Sequence, residues 1–177
     1  MTKVINLYGA SGVGKSTTAA ALFAEMKMRN LSCELVTEFV KSWAYEKRPV
    51  GKFDEVYLFG KQARRESILY EKVDYIITDS PLWLYPFYEM RYIGKDIIGT
   101  SVKNYLEYVK EHNIQHINFF LERYKIYNPN GRYETEEESK ENHELMRKFL
   151  TDNNVDFTTI TAMDRERVDF ILNYLGI

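Results

Sequence analysis

The sequence predicts an α/β fold in three layers, a five-stranded parallel sheet with helices on both faces and a short lid. Two observations predict it. Apolar runs of strand length at 4–8, 32–37, 73–78, 116–121 and 155–160 alternate with longer segments of helical spacing, and strands separated by helices pair in parallel with both faces covered. Between the first run and the first helical segment, residues 9–17 read Gly-Ala-Ser-Gly-Val-Gly-Lys-Ser-Thr, a glycine-rich turn that joins a strand to a helix.

In chain order, Val4, Ile5, Leu7 and Tyr8 make the first strand, and an alanine-rich helix follows to Met28. Asn30 suits a left-handed residue after that helix, and residues 32–37 form the second strand with Glu38 at its carboxyl end. Residues 39–52 carry aromatics, lysines, Arg48 and Pro49 without a clean period, which predicts a short helix and a loop. From 53 to 71 the apolar positions Val56, Phe59, Ala63 and Tyr70 predict a helix whose other face carries Lys61, Arg64, Arg65 and Glu66. The third strand, 73–78, ends in Asp79, Ser80 and Pro81, and Pro81 cannot continue a ladder. An aromatic stretch from Trp83 to Tyr92, a helix over 96–113, a strand at 116–121 and an irregular basic segment at 123–133 come next. Thr135 and Glu138 form a capping box for a helix to about Asn153, and a strand at 155–160 and a helix at 165–175 close the pattern.

The composition bounds the function. With 177 residues, 45% hydrophobic and 28% charged, the chain suits one domain, 1–177, able to bury roughly 70% of its unfolded surface. A net charge of −2 gives no global field for holding long nucleic acid. The single cysteine, Cys33, allows neither an internal disulfide nor a cysteine cluster, and a reducing cytoplasm is the expected location. No run reaches the ~20 apolar residues a membrane helix requires, so no membrane partner is expected. The three histidines lack metal spacing and are expected on elements away from the cleft.

Glycine, four residues, glycine, lysine, serine is the P-loop signature, and the chemistry explains the residue types. Gly9, Ser11, Gly12, Val13 and Gly14 present backbone N–H groups to phosphate oxygens at the positive end of the following helix, with Thr17 in its first turn. Lys15 is expected to reach the β and γ phosphates and Ser16 to ligate Mg2+. In a parallel sheet, ligands bind beyond the carboxyl ends of the strands, where the loop, Glu38 and Asp79 all fall. Asp79 suits the second metal-side carboxylate, with helix capping as its plainer alternative. Glu38 suits a base or an anchor for an attacking hydroxyl; a solvated loop glutamate is the alternative. Arg123 and Arg132 sit on one irregular piece, about 123–134, and suit a cover that neutralises charge on a transferred phosphoryl group, against a solvated basic loop. Trp83 is a candidate for stacking on a substrate ring or for the core, and Arg64 for a substrate phosphate or for a charged helix face.

With these residues placed, the chain resembles P-loop kinases of the nucleoside and nucleotide kinase group, and specifically the nicotinamide riboside kinase domain of the NadR-like ATPase/kinase family. The resemblance rests on residues 9–17, Thr-Glu-Phe-Val-Lys-Ser-Trp at 37–43, Tyr-Ile-Ile-Thr-Asp-Ser-Pro at 75–81, Asn-Pro-Asn-Gly-Arg-Tyr at 128–133 and Asn-Asn-Val-Asp-Phe-Thr-Thr-Ile at 153–160. It implies that 9–17 bind ATP and Mg2+, that Asp79 is the acid ending the third strand and that Arg132 is a lid arginine. Related nucleoside kinases place a general base where Glu38 stands. The resemblance extends to viral enzymes that phosphorylate a hydroxymethyl pyrimidine in DNA. The expected activity is therefore transfer of the γ phosphate of ATP to a hydroxyl of a small nucleoside or nucleotide acceptor by a monomer or homodimer. A hydroxymethylpyrimidine in DNA is the second acceptor class, and a nucleotide-hydrolysing switch or accessory ATPase is the alternative of a different kind. A switch needs a residue that orients water, and Gln62 is the one obvious internal glutamine of the first half.

Overall fold

A computed structural model describes residues 1–177 and contains the expected sheet. Its strands are β1 (Thr2–Tyr8), β2 (Cys33–Val36), β3 (Tyr75–Thr78), β4 (Ile114–Leu121) and β5 (Thr158–Ile160), in the order β2-β3-β1-β4-β5. Every pairing is parallel, with Ile5 opposite Ile77 on one side and Ile117 on the other. The helices are α1 (Lys15–Met28), α2 (Lys41–Tyr45), α3 (Asp54–Ser67), α4 (Leu84–Ile93), α5 (Gly99–Glu111), α6 (Glu136–Asp152) and α7 (Asp164–Leu175).

The three layers follow from the period of two along β1. Ile5 and Leu7 point to one face, where Leu22 and Met26 of α1 meet Val168, Ile171 and Leu172 of α7. Tyr8 points to the other, with Leu58 of α3, Phe87 of α4, Val102 of α5 and Met146 of α6. Asn6, on the same side as Tyr8, is buried and donates Nδ2 to Asn118 Oδ1 at 2.8 Å, so its amide N–H is satisfied across the sheet while its Oδ1 has no partner. Its amide also lies 3.1 Å from His116 Nδ1, and burial pushes the His116 pKa down to about 4, which leaves a neutral imidazole.

Two elements differ from the sequence pattern. The aromatic stretch after Pro81 contains helix α4, ended by Gly94 in the left-handed region at φ 71. Helix α3 is rotated relative to its apolar pattern. Val56 is exposed, whereas Glu55, Leu58, Gln62, Ala63 and Glu66 are buried, because a polar network lines this side of the sheet. Gln62 donates to Thr78 Oγ1 at 3.1 Å and to Glu66 at 3.4 Å, and the Tyr70 hydroxyl also donates to Glu66.

Burial pushes the Glu66 carboxyl from 4.5 up to about 8. Its folded pKa is raised, so its favourable contribution is complete below 4.5 and is lost as pH rises through about 8. Glu55, pushed to about 7, acts in the same sense. Thermal melting of Glu66→Gln should therefore fall less steeply over this window than melting of the unaltered protein; equal slopes would place the proton elsewhere.

Candidate active site

The turn after β1 runs into α1 through Gly14, which is left-handed at φ 95 and serves as the N-cap. Four side chains from three parts of the chain brace this turn. Arg123, directly after β4, donates to Ser11 O at 3.0 Å and to Ser139 Oγ of α6 at 2.9 Å, and Ser139 Oγ donates to the same Ser11 carbonyl. From α7, fully buried Arg167 donates Nη1 to Val13 O at 2.6 Å, Nε to Ala162 O at 2.9 Å and Nη2 to Glu122 O. His143 of α6 accepts the Ala10 N–H at 3.4 Å and faces Glu122 at 3.3 Å through its other nitrogen. Burial holds His143 below its ordinary pKa, which keeps Nδ1 free to accept. The side chains thus take up backbone groups on the loop's flanks, and its shape is set by the fold.

Lys15 donates to Gly9 O at 2.5 Å and to Ala10 O at 3.1 Å. Burial lowers its pKa, while Glu38, Asp79 and Glu134 oppose the shift and Arg132 adds to it. These five groups therefore share one field. Asp79, buried after β3, accepts the Glu38 backbone N–H at 2.9 Å, which ties the end of β2 to the end of β3. Burial raises the Glu38 carboxyl above its ordinary value, partly countered by Lys15, and Asp79 adds to the rise.

The segment after β4 folds over the loop. A Cβ on Gly12 would stand 2.8 Å from both Arg132 Nη1 and Tyr127 Cδ2, so only glycine permits the cover to approach this closely. The Arg132 guanidinium lies 5.0 Å from the Tyr127 ring centroid, and its Nη1 is buried with no hydrogen-bond partner. Glu134 donates nothing and accepts Asn142 Nδ2 at 3.0 Å through Oε1, leaving buried Oε2 unpaired. Tyr88 of α4 is held well above its ordinary pKa by burial, then by Glu134 and Glu38, so its hydroxyl stays protonated beside both. A buried guanidinium nitrogen and a buried carboxylate oxygen without partners, two residues apart, mark a place built for a polar ligand.

The structure thus brings together Gly9, Ser11, Gly12, Val13, Gly14, Lys15, Ser16, Thr17, Glu38, Asp79, Arg123 and Arg132. Ser16 and Thr17 are exposed in the first turn of α1, beside a cavity of about 200 Å³ lined by Thr17, Thr18, Tyr124, Lys125, Asp164 and Arg165 among others. Two expected substrate residues lie differently. Trp83 is 7% exposed and packs edge-on to Phe149 in the core, which suits a large apolar ring better than a cleft wall does. Arg64 is exposed on α3; its neighbour Arg65 donates to Thr37 O at 2.6 Å, next to Glu38. His143 corrects the expectation that the histidines lie away from the cleft, because it touches the loop backbone. A signal for it exists: Ser139, His143, Met146 and Leu150 are buried along one face of α6, so the polar members needed partners. Arg167 carries the same signal on the buried stripe with Val168, Ile171 and Leu172.

A parallel sheet with this loop at its carboxyl edge, two strand-end acids and an arginine cover defines the P-loop phosphate-binding class of α/β proteins. Within that class, the chain belongs to the AAA domain family, whose pattern matches residues 4–167. No curated protein matches the sequence. Among solved structures, deoxyadenosine kinase from M. mycoides, with products dCMP and dCDP bound, superposes with TM-score 0.63 at 18% identity, covering 98% of each chain. APS kinase CysC from Mycobacterium tuberculosis gives 0.56 at 12% identity, covering 99% of this chain and 98% of that one. NadR in complex with NR gives 0.67 at 13% identity; 99% of this chain is covered but only 50% of NadR. At these identities the likeness is one of fold.

Proposed function

We propose that the protein is a kinase that transfers the γ phosphate of ATP to a hydroxyl of a nucleoside or nucleotide acceptor. The observation that carries the reading is the meeting of Lys15, Glu38, Asp79 and Arg132 at one strand edge, with Arg132 Nη1 buried and unpaired over the loop. A loop whose Gly12 admits no Cβ under the cover fits a polyphosphate, and the orphaned guanidinium fits its charge. The cavity beside Thr17 then suits the nucleoside portion of ATP.

In this reading Lys15 leaves the Gly9 and Ala10 carbonyls for phosphate oxygens, and backbone N–H groups of 9–17 hold the remaining oxygens. Ser16 and Asp79 would supply hard oxygen donors of the kind Mg2+ takes. Mg2+ supplies neutralisation of phosphate charge when bound. Glu38 accepts the proton of the attacking hydroxyl; its raised pKa makes it a stronger base than an ordinary carboxylate. Tyr88 and the free oxygen of Glu134 orient the acceptor, and Arg132 neutralises the phosphoryl oxygens in transit. Arg123, committed to Ser11 O, fixes the loop instead of following the phosphate. The finer assignment to the NadR-like kinases rests on the sequence segments quoted above and agrees with the shared fold.

DNA is a second acceptor class, and one observation favours it. Exposed Lys41, Lys47, Arg48, Lys52 and Lys61 are interleaved with Tyr45, Phe53 and Tyr57 around the acceptor side, a pattern that holds a charged backbone and stacks bases. The switch alternative loses its candidate. Gln62 is fully buried and bonded to Thr78 and Glu66. A screen of nucleosides, nucleotides and hydroxymethylpyrimidine DNA with γ-labelled ATP tests the proposal. Label on a small acceptor supports it, label on DNA alone selects the second class, and label found only as inorganic phosphate overturns both.

A further inference from the structure

The residues on either side of Arg132 are not free. Gly131 lies against the Tyr45 ring so closely that a Cβ there would be 2.5 Å from Tyr45 Cζ and 2.7 Å from its oxygen. On the other side the Tyr133 hydroxyl donates to Arg48 O at 2.5 Å. Both anchors belong to the segment formed by α2 and the loop after it. That segment is in turn packed on the aromatic wall behind Glu38. The Arg48 guanidinium lies 3.5 Å from the Trp43 ring centroid, Trp43 stacks on Tyr57 at 6.1 Å, and Phe39 meets both rings edge-on. The Arg48 N–H donates to Trp43 O at 2.9 Å, which closes the turn. Arg132 thus hangs between two points fixed to the acceptor side while its guanidinium reaches Gly12 on the nucleotide side.

We propose that Tyr45 and Tyr133 are positioning residues that latch the cover to the acceptor segment, so that nucleotide binding and ordering of residues 41–52 are coupled. The inference rests on the kinase reading above, in which Arg132 meets phosphate. Coupling of this kind is reciprocal. Whatever orders 41–52 draws Arg132 onto the loop, and a phosphate that captures Arg132 orders 41–52. An acceptor seated against this segment would therefore tighten the cover over a bound nucleotide, and the nucleotide would in turn tighten the acceptor segment.

The test is hydrogen exchange with and without a non-hydrolysable ATP analogue carrying an imido link between its β and γ phosphates. In the unaltered protein the analogue should slow exchange at 9–17 and, by about fivefold or more, at the Lys47 and Arg48 amides, the change expected from stabilising one hydrogen bond. In the double variant Tyr45→Ala, Tyr133→Phe the protection at 9–17 should persist and that at Lys47 and Arg48 should vanish. Tyr45→Phe alone keeps the ring and should retain it. Protection of 9–17 without protection of Lys47 and Arg48 in the unaltered protein, or its survival in the double variant, overturns the latch alone. Absence of protection at 9–17 overturns the nucleotide reading and the latch with it.

Discussion

Replacing Lys15 by alanine is expected to lower phosphoryl transfer by about 10³-fold or more, the scale seen when a preorganised donor to a reacting anion is removed. The lysine is the one cation carried by the loop itself, and its only bonds in the structure are to the Gly9 and Ala10 carbonyls. The braces from α6 and α7 hold other backbone groups, the Ala10 N–H and the Ser11 and Val13 carbonyls, so the loop keeps its support when the side chain is cut. Burial and, to a smaller degree, Arg132 hold the Lys15 pKa down while the three carboxylates oppose that shift, and the side chain rests on carbonyl partners that phosphate oxygens can replace. Melting temperature should shift by only a few degrees, the scale of ~1 kcal/mol for a domain of this size. Transfer rates and thermal melting of the same preparation check both halves. A variant that melts normally and still transfers phosphate at a comparable rate contradicts the assignment.

Arg132→Ala is expected to cost a similar factor, about 10³-fold in the transfer rate, with a much smaller change in nucleotide affinity. Its Nη1 is buried without a partner in the structure, so its full hydrogen-bonding capacity is available to a charge that develops over Gly12. Arg132→Lys should not restore the rate, since an ammonium lacks the planar fork and cannot stack on Tyr127 in the same way. Arg123→Ala should behave differently. Arg123 is spent on Ser11 O and Ser139, so its loss loosens the loop and weakens nucleotide binding. Single-turnover rates and equilibrium binding of the nucleotide separate the two arginines. Equal profiles for both would remove the distinction between cover and brace.

The sheet was legible because its signals are local. Apolar strand runs, the loop at 9–17 and the capping box at Thr135, which forms with both of its hydrogen bonds, each declare themselves within a few residues. The edges were less so: the run at 155–160 pairs only from Thr158, where its register with Phe119 begins. Glu38 and Asp79 could be placed together because both end strands of one parallel sheet, but their direct link is a backbone N–H donated across forty-one positions, which no pattern encodes. Helix α4 was hidden by aromatic residues and Pro86, whose helical role depends on tertiary burial. For α3 the apolar period misled, because the buried face carries Glu55, Gln62 and Glu66 to line a polar interior. Trp83 shows the same limit from the other side. Its size suits a stacking platform and a core equally, and only the contact with Phe149 distinguishes them.

The central claim is that this edge transfers a phosphoryl group to another molecule. Following the label of γ-labelled ATP through one turnover, with each acceptor class supplied in turn, tests that claim most directly. The account predicts that label leaves ATP on a nucleoside or nucleotide hydroxyl, at a rate that collapses in Lys15→Ala. Label released only as inorganic phosphate, at a rate no acceptor changes, would contradict it.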